Sequence, residues 1–319
     1  MHLRNGSFRK GSLAPGWGGR PGFSPALTPW RSIAATVCLL GVLVFAAGRS
    51  SAATTIDATD RFAYGANLGW VDWRGDTNHG AVIGEFVCSG FLHAANVGWI
   101  NLGNGSPTNG IQYGNLAAGD FGVNQDGLGN LRGLAYGANV GWLNFEGTGA
   151  PRVDLLTGAL SGSVWSANCG WISLSNAVAL VRTDSVAPGA PAPDGLPIAW
   201  LLANFGTTNL PAGSDPTGKG ITIAQDYLAG TNPNGPNSLL RITTAQFSPG
   251  GVLASVSWSS VPSRYYVLEK TESLAPAAWE DSGLGLIPPL AGLATSATLS
   301  DSNAPARFYR IQAVRPLFH

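Results

Sequence analysis

Four copies of one short pattern dominate the alternation of apolar and polar positions in this chain. Each copy is an aromatic residue or histidine, a small residue, Ala-Asn-x-Gly-Trp, and then an apolar, a polar and an apolar residue. The asparagines lie 29, 43 and 29 residues apart, at Asn67, Asn96, Asn139 and Asn168. Strict alternation predicts strands with one buried face, and recurrence at a near-constant period predicts a repeat architecture.

Each copy is predicted to form a β-hairpin. Ala-Asn-x-Gly between two extended runs suits a type I turn closed by a glycine in the left-handed region of backbone space. A further strand and turn precede the hairpin, so we expect three short strands in each unit. The wider central spacing reflects an insertion of 14 residues around 103–120.

Neighbouring residues of a strand point to opposite faces, so the alternation assigns each side chain to the core or to the other face. The predicted core set is Val71, Trp73, Ile100, Leu102, Leu143, Phe145, Ile172 and Leu174. The other face is the candidate ligand-binding face, and its residues are Tyr64, Trp70, His93, Trp99, Tyr136, Trp142, Trp165 and Trp171. One polar residue also lies on that face in each copy, at Asp72, Asn101, Asn144 and Ser173.

Two interpretations of this aromatic face are open. Aromatic rings stack on the C–H groups of sugars while amides meet the hydroxyls, which indicates a glycan-binding surface. Alternatively, each tryptophan packs over glycines of the neighbouring repeat, and each asparagine caps its own turn. We favour the second interpretation, because the asparagines coincide with turn positions and repeats must bury their faces against neighbours. Burial of the four motif tryptophans would remove the glycan-binding platform.

The rest of the chain divides at a proline-rich segment. Residues 183–197 hold four prolines and are predicted to be a semi-rigid linker. It follows a β-repeat domain at 53–182 and precedes a short helical segment at 198–237. Short runs of alternating residues between Gly, Pro and Ser clusters predict a β-sandwich at 238–316. The predicted fold class is therefore mostly β, with four hairpin-based units, a helical loop segment and a C-terminal β-sandwich.

Composition and charge indicate an exported protein. Only 11% of the residues are charged, against about 25% typically, which argues against a nucleic-acid binder. Residues 1–52 carry six basic and no acidic residues around an apolar run at 33–47, and are predicted to be a secretory signal peptide. A membrane anchor is the alternative, but the run is shorter than the ~20 residues that span a bilayer. The mature chain, with a net charge of about −6, is expected to lack a transmembrane helix.

Cys88 and Cys169 remain in the predicted mature chain. An exported protein permits a disulfide between them, which would contribute roughly 4 kcal/mol by closing a long loop. Two separate buried thiols are the alternative, because a disulfide needs Cα atoms within about 7 Å.

Residues 215–226 carry a degenerate calcium-loop pattern. Asp215, Gly220 and Asp226 stand at positions 1, 6 and 12, but Thr217 and Lys219 replace acids at positions 3 and 5. The surrounding segment, 196–237, resembles the thrombospondin type 3 or dockerin kind of calcium loop found in secreted bacterial surface proteins. The resemblance implies metal ligands at Asp215, Thr217, Ile221 and Asp226. Because Lys219 puts a positive charge where an acid belongs, we expect weak calcium binding or none. We hypothesise that Lys219 pairs with Asp215 or Asp226.

The other resemblances are to the same kind of protein. The terminal β-domain resembles a fibronectin type III-like module, and the Ala-Asn-x-Gly-Trp repeats are similar to repeats of secreted bacterial proteins. Neither resemblance implies a reaction. The sequence holds no HExxH or Gly-x-Ser-x-Gly motif. Carboxylates for glycoside hydrolysis are present in the repeat domain but do not recur between repeats, at Asp72, Glu85, Glu146 and Asp154.

We therefore expect no catalytic activity and no cofactor. The leading hypothesis is a secreted or cell-surface structural and interaction protein of adhesion type. Its expected partner is a cell-envelope component or an extracellular polysaccharide. The alternative is a glycan-binding module that uses the aromatic face.

Overall fold

The hairpins predicted from the repeats form one closed sheet. The computed structural model describes residues 54–75, 78–248, 253–275, 278–300 and 307–317, which belong to one compact unit, 49–319. The predicted signal peptide lies outside the described residues. The described part of the chain is mostly β, as predicted, and its α-helices are short.

Strands of the repeat domain are β1 (Ile56–Gly65), β2 (Gly69–Asp72), β3 (Ser89–Ala94), β4 (Gly98–Asn104), β5 (Val123–Gln125), β6 (Leu131–Gly137), β7 (Gly141–Asn144), β8 (Arg152–Val153), β9 (Leu160–Ser161), β10 (Ser163–Ser166), β11 (Gly170–Ser173) and β12 (Leu180–Thr183). Strands β1, β2, β3, β4, β6, β7, β10 and β11 pair in that order, and all the pairs are antiparallel. Because β11 also pairs with β1, the eight strands close into a barrel. Each repeat contributes one hairpin, and β12 pairs with β1 outside the closed ring.

The predicted core set fills the inside of the barrel. All eight residues of that set are at most 3% exposed, which confirms the assignment of faces. A cavity of only about 10 Å³ remains among them. An eight-stranded barrel is just wide enough for side chains to fill, so its interior is a packed core. Any binding surface of the repeat domain must therefore lie outside the barrel.

Each hairpin turn is closed by a glycine in the left-handed conformation, as predicted. The closing glycines have φ between +76° and +86°, and they are Gly69, Gly98, Gly141 and Gly170. Only glycine adopts this left-handed conformation without steric cost. The residue before each glycine joins the barrel core or packs against it, at Leu68, Val97, Val140 and Cys169. These side chains close the turn end of the barrel.

The segment predicted to be helical, 198–237, contains two short helices. They are α1 (Ile198–Phe205) and α2 (Ile223–Ala229). Thr222 and Gln225 form a capping box at the start of α2, and Gly230 ends it in the left-handed conformation. The proline-rich segment before α1 is attached to the barrel, because Val186 is buried in the barrel core.

The terminal module has strands β13 (Ile242–Phe247), β14 (Leu253–Ser259), β15 (Tyr265–Thr271), β16 (Glu280–Asp281), β17 (Ala294–Ser300) and β18 (Phe308–Val314). One sheet has the order β13-β14-β17 and the other has the order β16-β15-β18. Their shared core contains Trp258 and Tyr266, with ring centroids 5.8 Å apart. Both residues are fully buried. Within the described residues, no helix has the length and apolar character needed to cross a membrane.

Candidate functional site

The aromatic face forms a belt around the outside of the barrel. In each hairpin, the first aromatic residue or histidine lies directly across from the motif tryptophan. The ring centroids are 4.8–5.2 Å apart and the rings are inclined by 57–65°. The pairs are Tyr64 with Trp70, His93 with Trp99, Tyr136 with Trp142, and Trp165 with Trp171. We call these eight residues the aromatic belt.

The belt is exposed, which corrects half of the packing interpretation. The four motif tryptophans keep 44–48% of their surface exposed. Packing on glycine does occur at two of them. A Cβ on Gly75 would lie 2.8 Å from Cζ3 of Trp99, and a Cβ on Gly149 would lie equally close to Cζ3 of Trp171. These contacts support one edge of the ring and leave the rest open to solvent.

The motif asparagines do not cap their own turns, so the other half of the packing interpretation is wrong. Each Nδ2 instead donates to a carbonyl in the turn of the preceding repeat, at 3.0–3.3 Å. The four bonds run from Asn96 to Leu68, Asn139 to Val97, Asn168 to Val140, and Asn67 to Cys169. Because the last bond joins the first repeat to the fourth, the bonds form a closed ring that links all the turns.

The polar residues of the same face are engaged in local turns. Asp72, Asn101 and Asn144 each accept a hydrogen bond from the backbone amide two residues later, at 2.6–2.9 Å. Ser173 donates to the carbonyl of Ser175 at 2.8 Å. These groups therefore hold the strand ends, and the exposed chemistry of the belt is chiefly aromatic.

The remaining carboxylates of the repeat domain serve separate structural contacts. Glu146 accepts from the amide of Gly133 at 2.9 Å, and Asp154 accepts from amides in its own turn. Glu85 is buried, and its Oε2 accepts the hydroxyl of Tyr227 at 2.6 Å. Each of these three carboxylates therefore accepts a hydrogen bond from another group of the protein.

Lys219 occupies the place of a cation in the loop between the helices. Its Nζ lies 2.8 Å from Oδ1 of Asp226, and both side chains are 1% exposed. The ammonium also donates to the carbonyls of Asn232, Gly235 and Ser238, at 2.8, 3.4 and 3.2 Å. The hypothesised ion pair is confirmed, with Asp226 as the partner.

Two of the other candidate metal ligands, Asp215 and Thr217, are engaged in other hydrogen bonds, whereas Ile221 could offer only its backbone carbonyl. Asp215 accepts from the amides of Gly220 and Lys219 at 2.7 and 3.2 Å, and the bond from Gly220 above all lowers the pKa of Asp215. Thr217 donates to the carbonyl of Pro233 at 3.4 Å. Calcium needs about six to eight oxygen ligands, and an ammonium already stands against Asp226, so these residues do not fit a calcium site. Across the described ranges, no group of three or more His, Cys, Asp or Glu side chains is arranged to hold a metal.

The candidate disulfide is not formed. Cys88 and Cys169 are both free and buried. Cys169 lies in the fourth hairpin turn, whereas Cys88 precedes β3 at the opposite end of the barrel, so a strand length of roughly 17 Å separates them. Burial raises the pKa of the Cys88 thiol to about 12.

Sequence reasoning missed three aromatic neighbours of the belt. Phe62 and Phe91 lie within 6.1 and 6.3 Å of Trp70 and Trp99, and Phe121 lies 5.2 Å from Trp142. Phe62 and Phe91 stand two positions before the first belt residue of their strands, so the alternation would have found them. Phe121 lies in a connection without that alternation.

Searches against family models, curated proteins and solved structures find no match for this chain.

Proposed function

We propose that this chain is a non-catalytic binding protein of the cell exterior, and that its aromatic belt binds polysaccharide. The observation that carries the proposal is the exposure of the four motif tryptophans at 44–48%. Soluble proteins rarely leave contiguous apolar surface uncovered unless it serves an interaction. Rings in fixed cross-strand pairs also lose little entropy when a ligand stacks on them.

A sugar polymer suits this surface better than a protein partner does. The aromatic rings offer faces to the C–H groups of pyranoses. The four pairs are distributed around the barrel rather than gathered in one flat patch. A repeating polymer, or several polymer chains, can use such a distributed set of equivalent contacts, and each weak contact then adds avidity.

Intrinsic fluorescence tests the proposal, because most of the exposed rings are tryptophans. The protein is titrated with soluble cellulose, xylan, mannan, β-1,3-glucan and chitin oligomers. We expect at least one to change the tryptophan emission saturably. The absence of any change across this panel would contradict the proposal.

A second role is attachment through the terminal module. Four leucines between 284 and 293 are 38–80% exposed there, at Leu284, Leu286, Leu290 and Leu293. Replacing Leu290 and Leu293 by serine is expected to weaken retention on cell-envelope fractions, while Leu128→Ser in the repeat domain does not. Equal retention of the three proteins would exclude this role.

A further inference from the structure

A groove lies beside the aromatic pair of the first repeat. Its volume is about 720 Å³, within the range of about 300 to 1,000 Å³ that is typical of small-ligand sites. One wall is formed by Phe62 and Trp70, and the other by residues 176–180. This second wall is the connection between β11 and β12 together with Leu180, the first residue of β12.

The groove lies where the chain that follows the fourth hairpin passes the tryptophan of the first repeat. In each repeat, the tryptophan lies next to the chain that follows the preceding hairpin. That chain packs close to the ring in the other three repeats, through Gly75 at Trp99, Phe121 at Trp142 and Gly149 at Trp171. At Trp70 the corresponding chain is residues 176–180, and the groove lies between this chain and the ring.

Both walls are held in place without a ligand. Trp70 lies between Phe62 and Tyr64, with centroid distances of 6.1 and 5.2 Å. Across the groove, Asn176 accepts from the amides of Val178 and Ala179 at 2.9 Å each. A preformed site of this kind loses little free energy to ordering when it binds.

The charges of the groove favour an uncharged ligand. Asp60 is its lining carboxylate, and it is paired with Arg182 at 2.9 Å. No basic residue lines the groove among the residues described. The lining offers an aromatic face and oxygen acceptors, from Thr59 and Asp60, which suit the C–H face and the hydroxyls of a neutral sugar.

We propose that the groove beside Trp70 is the principal saccharide subsite of the belt and takes one end or one short stretch of a neutral glycan. This proposal rests on the proposed polysaccharide binding. The other three pairs then act as weaker contacts along the same or further chains. The four pseudo-equivalent repeats are thus functionally unequal.

Calorimetric titration of the full chain tests this inequality. The probes are the neutral hexasaccharides of cellulose, xylan, mannan, β-1,3-glucan and chitin. Trp70→Ala removes the platform, and Trp142→Ala is the matched control, since it removes an equally exposed tryptophan that does not line this groove. Ala177→Trp fills the groove and leaves every belt residue in place. Thermal unfolding of each variant verifies that it is folded.

We expect Trp70→Ala and Ala177→Trp each to raise Kd by about tenfold or more, and Trp142→Ala to raise it by less than about threefold. Equal losses for Trp70→Ala and Trp142→Ala would overturn the groove as principal subsite and leave polysaccharide binding by the belt intact. Unchanged binding by Ala177→Trp would likewise overturn it. Absence of binding by the unmodified protein would overturn both proposals.

Discussion

Lys219 holds its loop together with a buried charge rather than with a bound ion. Its ammonium is satisfied by one carboxylate and three carbonyls. Asp226 also accepts the hydroxyl of Thr231, so the carboxylate is well hydrogen-bonded at 1% exposure. Removing one partner of a buried ion pair strongly destabilises the fold, because the other charge is then left buried without compensation.

Lys219→Met is therefore expected to lower the free energy of unfolding by about 3–5 kcal/mol in urea denaturation. The double variant with Asp226→Leu should regain much of this loss, since no buried charge remains. Calcium and EDTA should give the unmodified protein the same melting temperature. A rise of several degrees with calcium would show that the loop binds the ion.

The hairpins were the elements that could be predicted best from the sequence. Strands, turns and the inward face followed from an alternation with period two and from glycines that need positive φ. The ring of asparagine bonds did not follow, because Asn139 bonds to a carbonyl 42 residues away and such partners depend on which hairpins lie side by side. The exposure of the belt did not follow either, because it depends on closure of the barrel. Side chains of the opposite face fill the interior of the closed barrel, so the tryptophans lie on its outside, where they are partly exposed.

Substitutions of Asn139 test whether the ring of asparagine hydrogen bonds stabilises the barrel. Asn139→Ala removes one hydrogen bond of 3.1 Å and should lower stability by about 1 kcal/mol. Asn139→Asp should cost more, because a carboxylate oxygen then faces the carbonyl of Val97. Asn109→Asp is the control, since Asn109 acts as an acceptor for Ile111 and Gln112. If the two aspartate variants proved equally stable in urea unfolding, the ring would not contribute.

Across the whole molecule, a buried polar cluster joins the barrel, the helical segment and the terminal module. Glu85 comes from the barrel, Tyr227 from α2, and Arg264 and Arg315 from the terminal module. Both guanidinium groups lie 3.8 Å from the Glu85 carboxylate, and Arg264 donates to the carbonyls of Tyr227 and Leu228. Burial lowers the pKa of Arg264 and raises that of Tyr227. Sequence gave no signal for this junction, because its members lie up to 230 positions apart.

Glu85→Ala is expected to uncouple these parts. It leaves two guanidinium groups without their carboxylate at a cost of about 3–5 kcal/mol. Calorimetry should then resolve two unfolding transitions, whereas one is expected for the unmodified protein. Glu146→Ala, whose side chain is 53% exposed, should cost less than about 1 kcal/mol and keep a single transition. One transition at an unchanged temperature in Glu85→Ala would contradict the coupling.

The main proposal is that the exposed belt binds polysaccharide. It is tested most directly by co-sedimentation of the full chain with insoluble polysaccharides, beside a variant with Trp70, Trp99, Trp142 and Trp171 all replaced by alanine. Because these rings lie outside the packed core, the variant should remain folded by circular dichroism. The unmodified protein is predicted to sediment with at least one polysaccharide, and the variant to stay in solution. Equal sedimentation of the two proteins, or none of the unmodified protein with any polysaccharide, would contradict the account.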